Sequence, residues 1–157
     1  MENTQLSPAA FDLKTVPFLL EKLTEDSKPH WGKMTAQHVL EHLGNTLVIV
    51  STKKEIPVIT PEDKLPAYLQ FLKSDKPFDR DIPNPFVGDT PPALRFENLD
   101  TAKTKLLAAL EGFYKFFAEN PEAKPVHPFF GRLNYEEWLQ FQRKHFQHHF
   151  KQFGLVE

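Results

Sequence analysis

The stretch Asn134-Tyr-Glu-Glu137-Trp138-Leu-Gln-Phe-Gln142-Arg-Lys-His145-Phe-Gln-His-His149-Phe-Lys-Gln152-Phe153-Gly154 decides the fold. It reads as one helix that carries its own start and stop. Asn134 followed three residues later by Glu137 is close to a capping box, in which a side-chain oxygen takes a first-turn N–H and the glutamate reaches back. Gly154 suits the left-handed backbone that ends a helix. Between them Leu139, Phe146, Phe150 and Phe153 recur at helical spacing as an apolar stripe. His145 and His149 share the neighbouring arc with Trp138, Gln142 and Gln152, at the edge of the core-facing surface, and His148 lies on the other flank.

Moving toward the N-terminus, His127-Pro-Phe-Phe-Gly131 reads either as a wall beside a site or as a rigid Pro/Gly turn that plugs the core with Phe129 and Phe130. The turn is the simpler reading. Before it, Leu106, Leu110, Phe113 and Phe117 mark another helix, with Asp100 as its candidate cap and Asn120-Pro121 as its end. Between Thr52 and Asn98 the periodicity fails, and eight of the 14 prolines fall from Pro57 to Pro92. A short helix is expected over 62–73 with Leu65, Tyr68, Leu69 and Leu72 inward, and residues 75–93 read as loop rather than strand. A further helix is expected from Ala36 to about Ser51, capped by Thr35, with Val39, Leu40, Leu43, Leu47 and Val50 on one face. The first helix starts at Thr15-Val16-Pro17, where proline costs no hydrogen bond, with Leu19, Leu20 and Leu23 inward.

No alternating apolar/polar strands and no repeats stand out. The expectation is an all-α single domain over 1–157, a four-helix bundle. The long connection between its second and third helices has room to cross the bundle, which permits an up-down-down-up order.

The composition narrows function. A net charge of −2 over 157 residues offers no general attraction to nucleic acid or anionic membrane. Lys53-Lys54 and the run from Arg143 to Lys151 are local exceptions, and the second is mostly histidine and phenylalanine. With no cysteine, disulfides, thiolate metal sites and cysteine nucleophiles are excluded. The first residues lack the apolar core of a signal peptide and no 18-residue apolar run occurs, so a cytoplasmic location without a membrane span is expected. Trp31 and Trp138 read as packing residues, and Glu41, Glu136 and Glu137 as solvated helix positions.

The seven histidines carry the chemistry. Residues one helical turn apart lie about 6 Å from each other on one face. His145 and His149 have this spacing on the last helix; His38 and His42 repeat it on the second, with His42 nearer the Leu43/Leu47 face. Two imidazoles one turn apart can chelate a divalent ion, and a third from a facing helix leaves coordination positions open for water or substrate. The plainer alternative, surface or hydrogen-bonded histidine pairs, stands beside this reading.

Trp31-Gly-Lys-Met-Thr-Ala-Gln-His38-Val-Leu-Glu-His42-Leu together with His127-Pro-Phe-Phe-Gly131 and the closing helix resembles the DinB/YfiT-like superfamily, in a branch without an assigned function. That resemblance implies a four-helix bundle in which His42, His145 and His149 bind a divalent metal, zinc, nickel or iron. It leaves His38 and His148 as neighbours of the ligands. It further implies a homodimer, and chemistry on a low-molecular-weight thiol or another small molecule, by thiol transfer or hydrolysis. The competing expectation is a non-enzymatic, stress-associated bundle that binds metal or ligand, because no acid, base or substrate motif accompanies the histidines.

Overall fold

The computed structural model describes residues 6–52, 56–78 and 91–157. Lys53-Lys54 and most of the loop expected over 75–93 lie outside the described residues. The chain is mainly helical: α1 (Val16–Leu20), α2 (Ala36–Val48), α3 (Leu65–Lys73), α4 (Leu99–Glu119) and α5 (Tyr135–Gln152), with β1 (Val126–His127) and β2 (Gly131–Arg132) as a small antiparallel pair. Among the described residues no helix is long and apolar enough to cross a membrane.

The helix ends follow local chemistry. Asn134 Oδ1 accepts from the Glu137 N–H at 2.9 Å and Glu137 Oε1 from the Asn134 N–H at 3.0 Å, so the expected capping box on α5 is present. Past α5, Gly154 has φ +69°. The cap of α4 is Asn98, whose Oδ1 accepts from the Thr101 N–H at 2.8 Å, and not Asp100. The reason is that the buried stripe of α4 begins with Leu99 and Ala102, one turn before Leu106.

The first helix is shorter than its apolar face suggested. α1 spans five residues behind a 3₁₀ turn, and the chain then turns so that Leu23 is still buried. In α3, Leu72 is fully buried while Tyr68, expected inward, is exposed. Pro66 sits in the first turn, where it displaces no helical hydrogen bond.

α2 packs chiefly on α4, and α5 packs on both α2 and α3. Their contact faces form one core with Leu40, Leu43, Leu47, Leu106, Phe113, Trp138, Phe146 and Phe150 among its most buried members. Phe11, near the N-terminus, closes that core against Phe146 and Phe150 with ring centroids 6.4 and 5.7 Å away. The β1–β2 hairpin turns at Pro128–Phe130 and lays His127 against Phe141, 4.3 Å between centroids. The expected Pro/Gly turn is present as a hairpin too short to leave an alternating pattern, but its buried residue is His127, while Phe129 and Phe130 are only partly buried.

Candidate metal centre

Two helices supply one histidine cluster. His42 comes from the middle of α2, and the buried pair His145 and His149 from the second half of α5. Ring centroids are 4.7 Å apart for His42–His145, 5.1 Å for His42–His149 and 4.8 Å for His145–His149. One ligand atom from each lies within 4.8 Å of the others, so the three could hold a metal ion. The three imidazoles named from the sequence are thus brought together across a gap of more than a hundred residues.

Burial sets their charge. It draws His42 down to about 4, helped by the nearby His148. Burial takes His149 to about 3, with His42 adding to the effect and the Gln152 hydrogen bond opposing it. His145 falls well below its ordinary value, again first through burial and then through His42 and His149. All three are neutral at pH 7 and offer lone pairs rather than a knot of positive charge.

The donor set suits a divalent ion. His42 Nε2 and His145 Nε2 stand 2.9 Å apart. Two nitrogens each about 2.05 Å from one ion lie about 2.9 Å apart at a right angle and about 3.3 Å apart at the tetrahedral angle. That edge of the triangle already has a metal-compatible length. Thr46 Oγ1 donates to the Leu43 carbonyl at 2.8 Å and lies 3.3 Å from His145 Nδ1. With its single hydrogen spent on Leu43, the hydroxyl accepts from Nδ1–H, which leaves the His145 Nε2 lone pair facing His42. Such hydrogen bonds from the far ring nitrogen accompany most metal-bound histidines.

Three of the other four histidines have contacts of their own. His38 Nδ1 accepts from the Thr35 N–H at 3.2 Å and completes the N-terminal cap of α2, one turn before His42. His148 rests against His149, centroids 5.0 Å apart, and against Trp31 at 5.6 Å. His127 Nδ1 accepts from the Phe129 N–H at 3.0 Å, and burial draws it to about 3.

Glu41 corrects the expectation of a solvated carboxylate. It is 6% exposed and accepts from the N–H groups of Arg95 at 2.7 Å and Phe96 at 3.3 Å, and from Gln37 Nε2 at 3.0 Å. Burial pushes its pKa up, but these hydrogen bonds and the Arg95 guanidinium prevail and hold it below the usual value. Its partners are backbone amides far along the chain, which no spacing rule exposes. Glu137 is spent on the α5 cap and on Lys73, 3.4 Å away, and Glu136 is exposed as expected.

Comparison with known proteins finds no matching curated protein and no matching solved structure. The model of one family, described as a protein of unknown function (DUF1569), matches residues 67–155. That span is more than half of the chain and takes in most of α3, all of α4 and α5, the hairpin, and both His145 and His149. The chain therefore belongs to the DUF1569 family.

Proposed function

We propose that this protein is a four-helix bundle of the DinB/YfiT-like superfamily that binds zinc, nickel or iron through His42, His145 and His149 and acts on a small molecule, by thiol transfer or hydrolysis. One observation carries the reading: three neutral imidazoles from α2 and α5, His145 and His149 buried and His42 partly so, each offer a ring nitrogen within 4.8 Å of the others. When bound, a divalent ion supplies Lewis acidity to a substrate oxygen or sulfur at positions that three protein ligands leave open.

The chain's own part is to hold and shield that point. Thr46 fixes the His145 ring, and Phe141 and Phe78 cover it at centroid distances of 5.0 and 6.4 Å. A cleft of about 370 Å³ lies alongside, lined by Trp31, Phe78, Gln147, His148 and Lys151. Its Phe78 and His148 walls also touch His145 and His149, and its volume suits a small ligand rather than a polymer.

A second reading, a dimeric bundle that binds metal or ligand without turnover, is favoured by the polar groups beside the triad. Thr46, Gln142 and Gln152 are a hydroxyl and two amides, poor proton carriers near neutral pH, and Glu41 is committed to backbone N–H groups, whereas the His148 imidazole against His149 is the neighbour an enzyme would use.

Metal analysis of protein purified without chelator or nickel resin tests the common premise. About one equivalent of zinc, nickel or iron, lost in His145→Ala, is the expected result. A protein that holds none and refuses all three when offered them ends both metal readings. Turnover of thiol or ester substrates by the loaded protein then separates enzyme from binding module.

A further inference from the structure

His149 is one of two cluster histidines with a described partner for the ring nitrogen away from the cluster, and its partner is an amide. Nδ1 lies 2.8 Å from Gln152 Oε1. An amide side chain has one accepting and one donating end, so the identity of the end facing His149 determines which imidazole nitrogen keeps its proton. Here that choice is made from outside α5. Gln152 Nε2 donates to the backbone carbonyl of Trp31 at 2.8 Å. A carbonyl only accepts, so the NH₂ end is held there and Oε1 is left toward His149. Nδ1 of His149 must then donate, and its Nε2 lone pair is free for the cluster.

The turn that presents the Trp31 carbonyl is built for this approach. Gly32 has φ +81°, and a Cβ at that position would lie 2.9 Å from Gln152 Nε2. The His30 N–H also donates to the Gln152 carbonyl at 2.7 Å, fastening the turn to the end of α5. Gln152 itself is 3% exposed, so water does not compete for either end of its amide.

We propose that the Trp31–Gly32 turn, acting through Gln152, sets the tautomer of His149 and thereby tunes the affinity of the three-histidine site for divalent cations. This rests on the metal-binding reading of that site. Gln152 and Gly32 are positioning residues: neither is needed as a ligand.

The test uses metal-free full-length protein and zinc as the probe. Two-bond ¹H–¹⁵N spectra of the imidazoles should show His149 protonated at Nδ1 in the absence of metal. Competition with a chromophoric chelator should show zinc bound about 10- to 100-fold more weakly by Gln152→Leu, the usual cost of losing such a partner. Gln152→Glu should restore binding, because either carboxylate oxygen accepts from Nδ1–H, although it cannot donate to Trp31. Gly32→Ala, whose Cβ would lie 2.9 Å from Gln152 Nε2, should weaken zinc binding in the Gln152 background and by less in the Gln152→Glu background, where either carboxylate oxygen can still accept from Nδ1–H. His149 found protonated at Nε2, or Gln152→Leu binding zinc within twofold of the parent, overturns the proposal. Should Gln152→Leu fail to fold, the spectra and the Gly32→Ala pair decide it. A parent protein that refuses zinc while His149 carries its proton on Nδ1 sinks the metal reading and the affinity claim, and leaves the tautomer relay standing.

Discussion

Single residues in this protein are defined by what they are buried against. His127 lies within 4.3 to 5.2 Å, centroid to centroid, of Phe141, Phe130 and Trp138, and its pKa falls to about 3. The unfolded chain titrates this group near pH 6.5, so between about pH 6.5 and 3 the unfolded state binds the extra proton and stability drops as pH falls. At about 1.4 kcal/mol per pH unit, His127 accounts for about 2 kcal/mol of loss between pH 6.5 and 5. Urea unfolding of metal-free protein at pH 7 and pH 5 should therefore show a smaller acid loss, by about that amount, in His127→Asn; equal losses in both proteins would contradict the assignment. Glu41 invites the opposite experiment. Glu41→Ala leaves the Arg95 and Phe96 N–H groups without their acceptor, at a cost of about 2–3 kcal/mol, whereas Glu41→Gln keeps one acceptor and should lose less. Identical midpoints for the two variants would mean that the 95–96 segment is held by something else. The pair His145 and His149 was legible at this scale because helical spacing alone joins them; Glu41 was not, because its charge looked like a solvated helix position until its distant backbone partners were in view.

At the scale of elements, α5 is both the site's scaffold and the fastening of the fold. Gln140 Nε2 donates to the Ser7 and Ser74 carbonyls at 2.9 and 3.0 Å, and its Oε1 accepts from the Ala9 N–H at 3.1 Å. Gln142 Nε2 reaches the Thr46 carbonyl at 3.0 Å, and Trp138 Nε1 the Pro125 carbonyl at 3.0 Å. These buried polar groups tie α5 to the N-terminal segment, the end of α3, α2 and the segment before the hairpin, which is how an interior with so many amides stays satisfied. Lys144 is 1% exposed, donates to the Phe71 carbonyl at 2.5 Å, and is drawn to about 8 by burial, with Asp75 opposing. That carbonyl also accepts from the Ser74 N–H at 3.2 Å and from Ser74 Oγ at 2.6 Å. Lys144→Met should therefore be neutral to within about 1 kcal/mol or stabilising, since it removes a buried charge without orphaning an acceptor. A loss beyond about 2 kcal/mol in chemical denaturation would show that the ammonium itself is required. Asn134→Ala should cost about 1 kcal/mol through the lost cap.

For the molecule as a whole, the metal proposal makes stability depend on free ion concentration. Zinc at about a hundredfold its Kd should raise the unfolding free energy by about 2.7 kcal/mol by mass action, and chelator should reverse it. Thermal denaturation of the parent and of His145→Ala checks this: the shift should vanish in the variant, and an equal shift in both would place the binding elsewhere. Segments from Ser7 to Gln152 are tied to one another through α5, so helix content and tryptophan fluorescence should be lost together in a single transition. Separate transitions would divide the chain into units.

Helix type and most helix boundaries were already determined by the amino-acid sequence, because caps, prolines and apolar spacing act over a few residues. The capping box of α5, the Thr35 start of α2 and the stop at Gly154 are local chemistry and appear where that chemistry put them. The candidate ligands were legible for the same reason, with the family resemblance adding His42 to the pair on α5. What only tertiary structure decided was partnership over distance: that Glu41 is held by the 95–96 backbone, and that the Trp31 carbonyl orients Gln152 toward His149. Such contacts join residues through space, and a hydrogen bond between segments far apart in the chain leaves no period or spacing behind it.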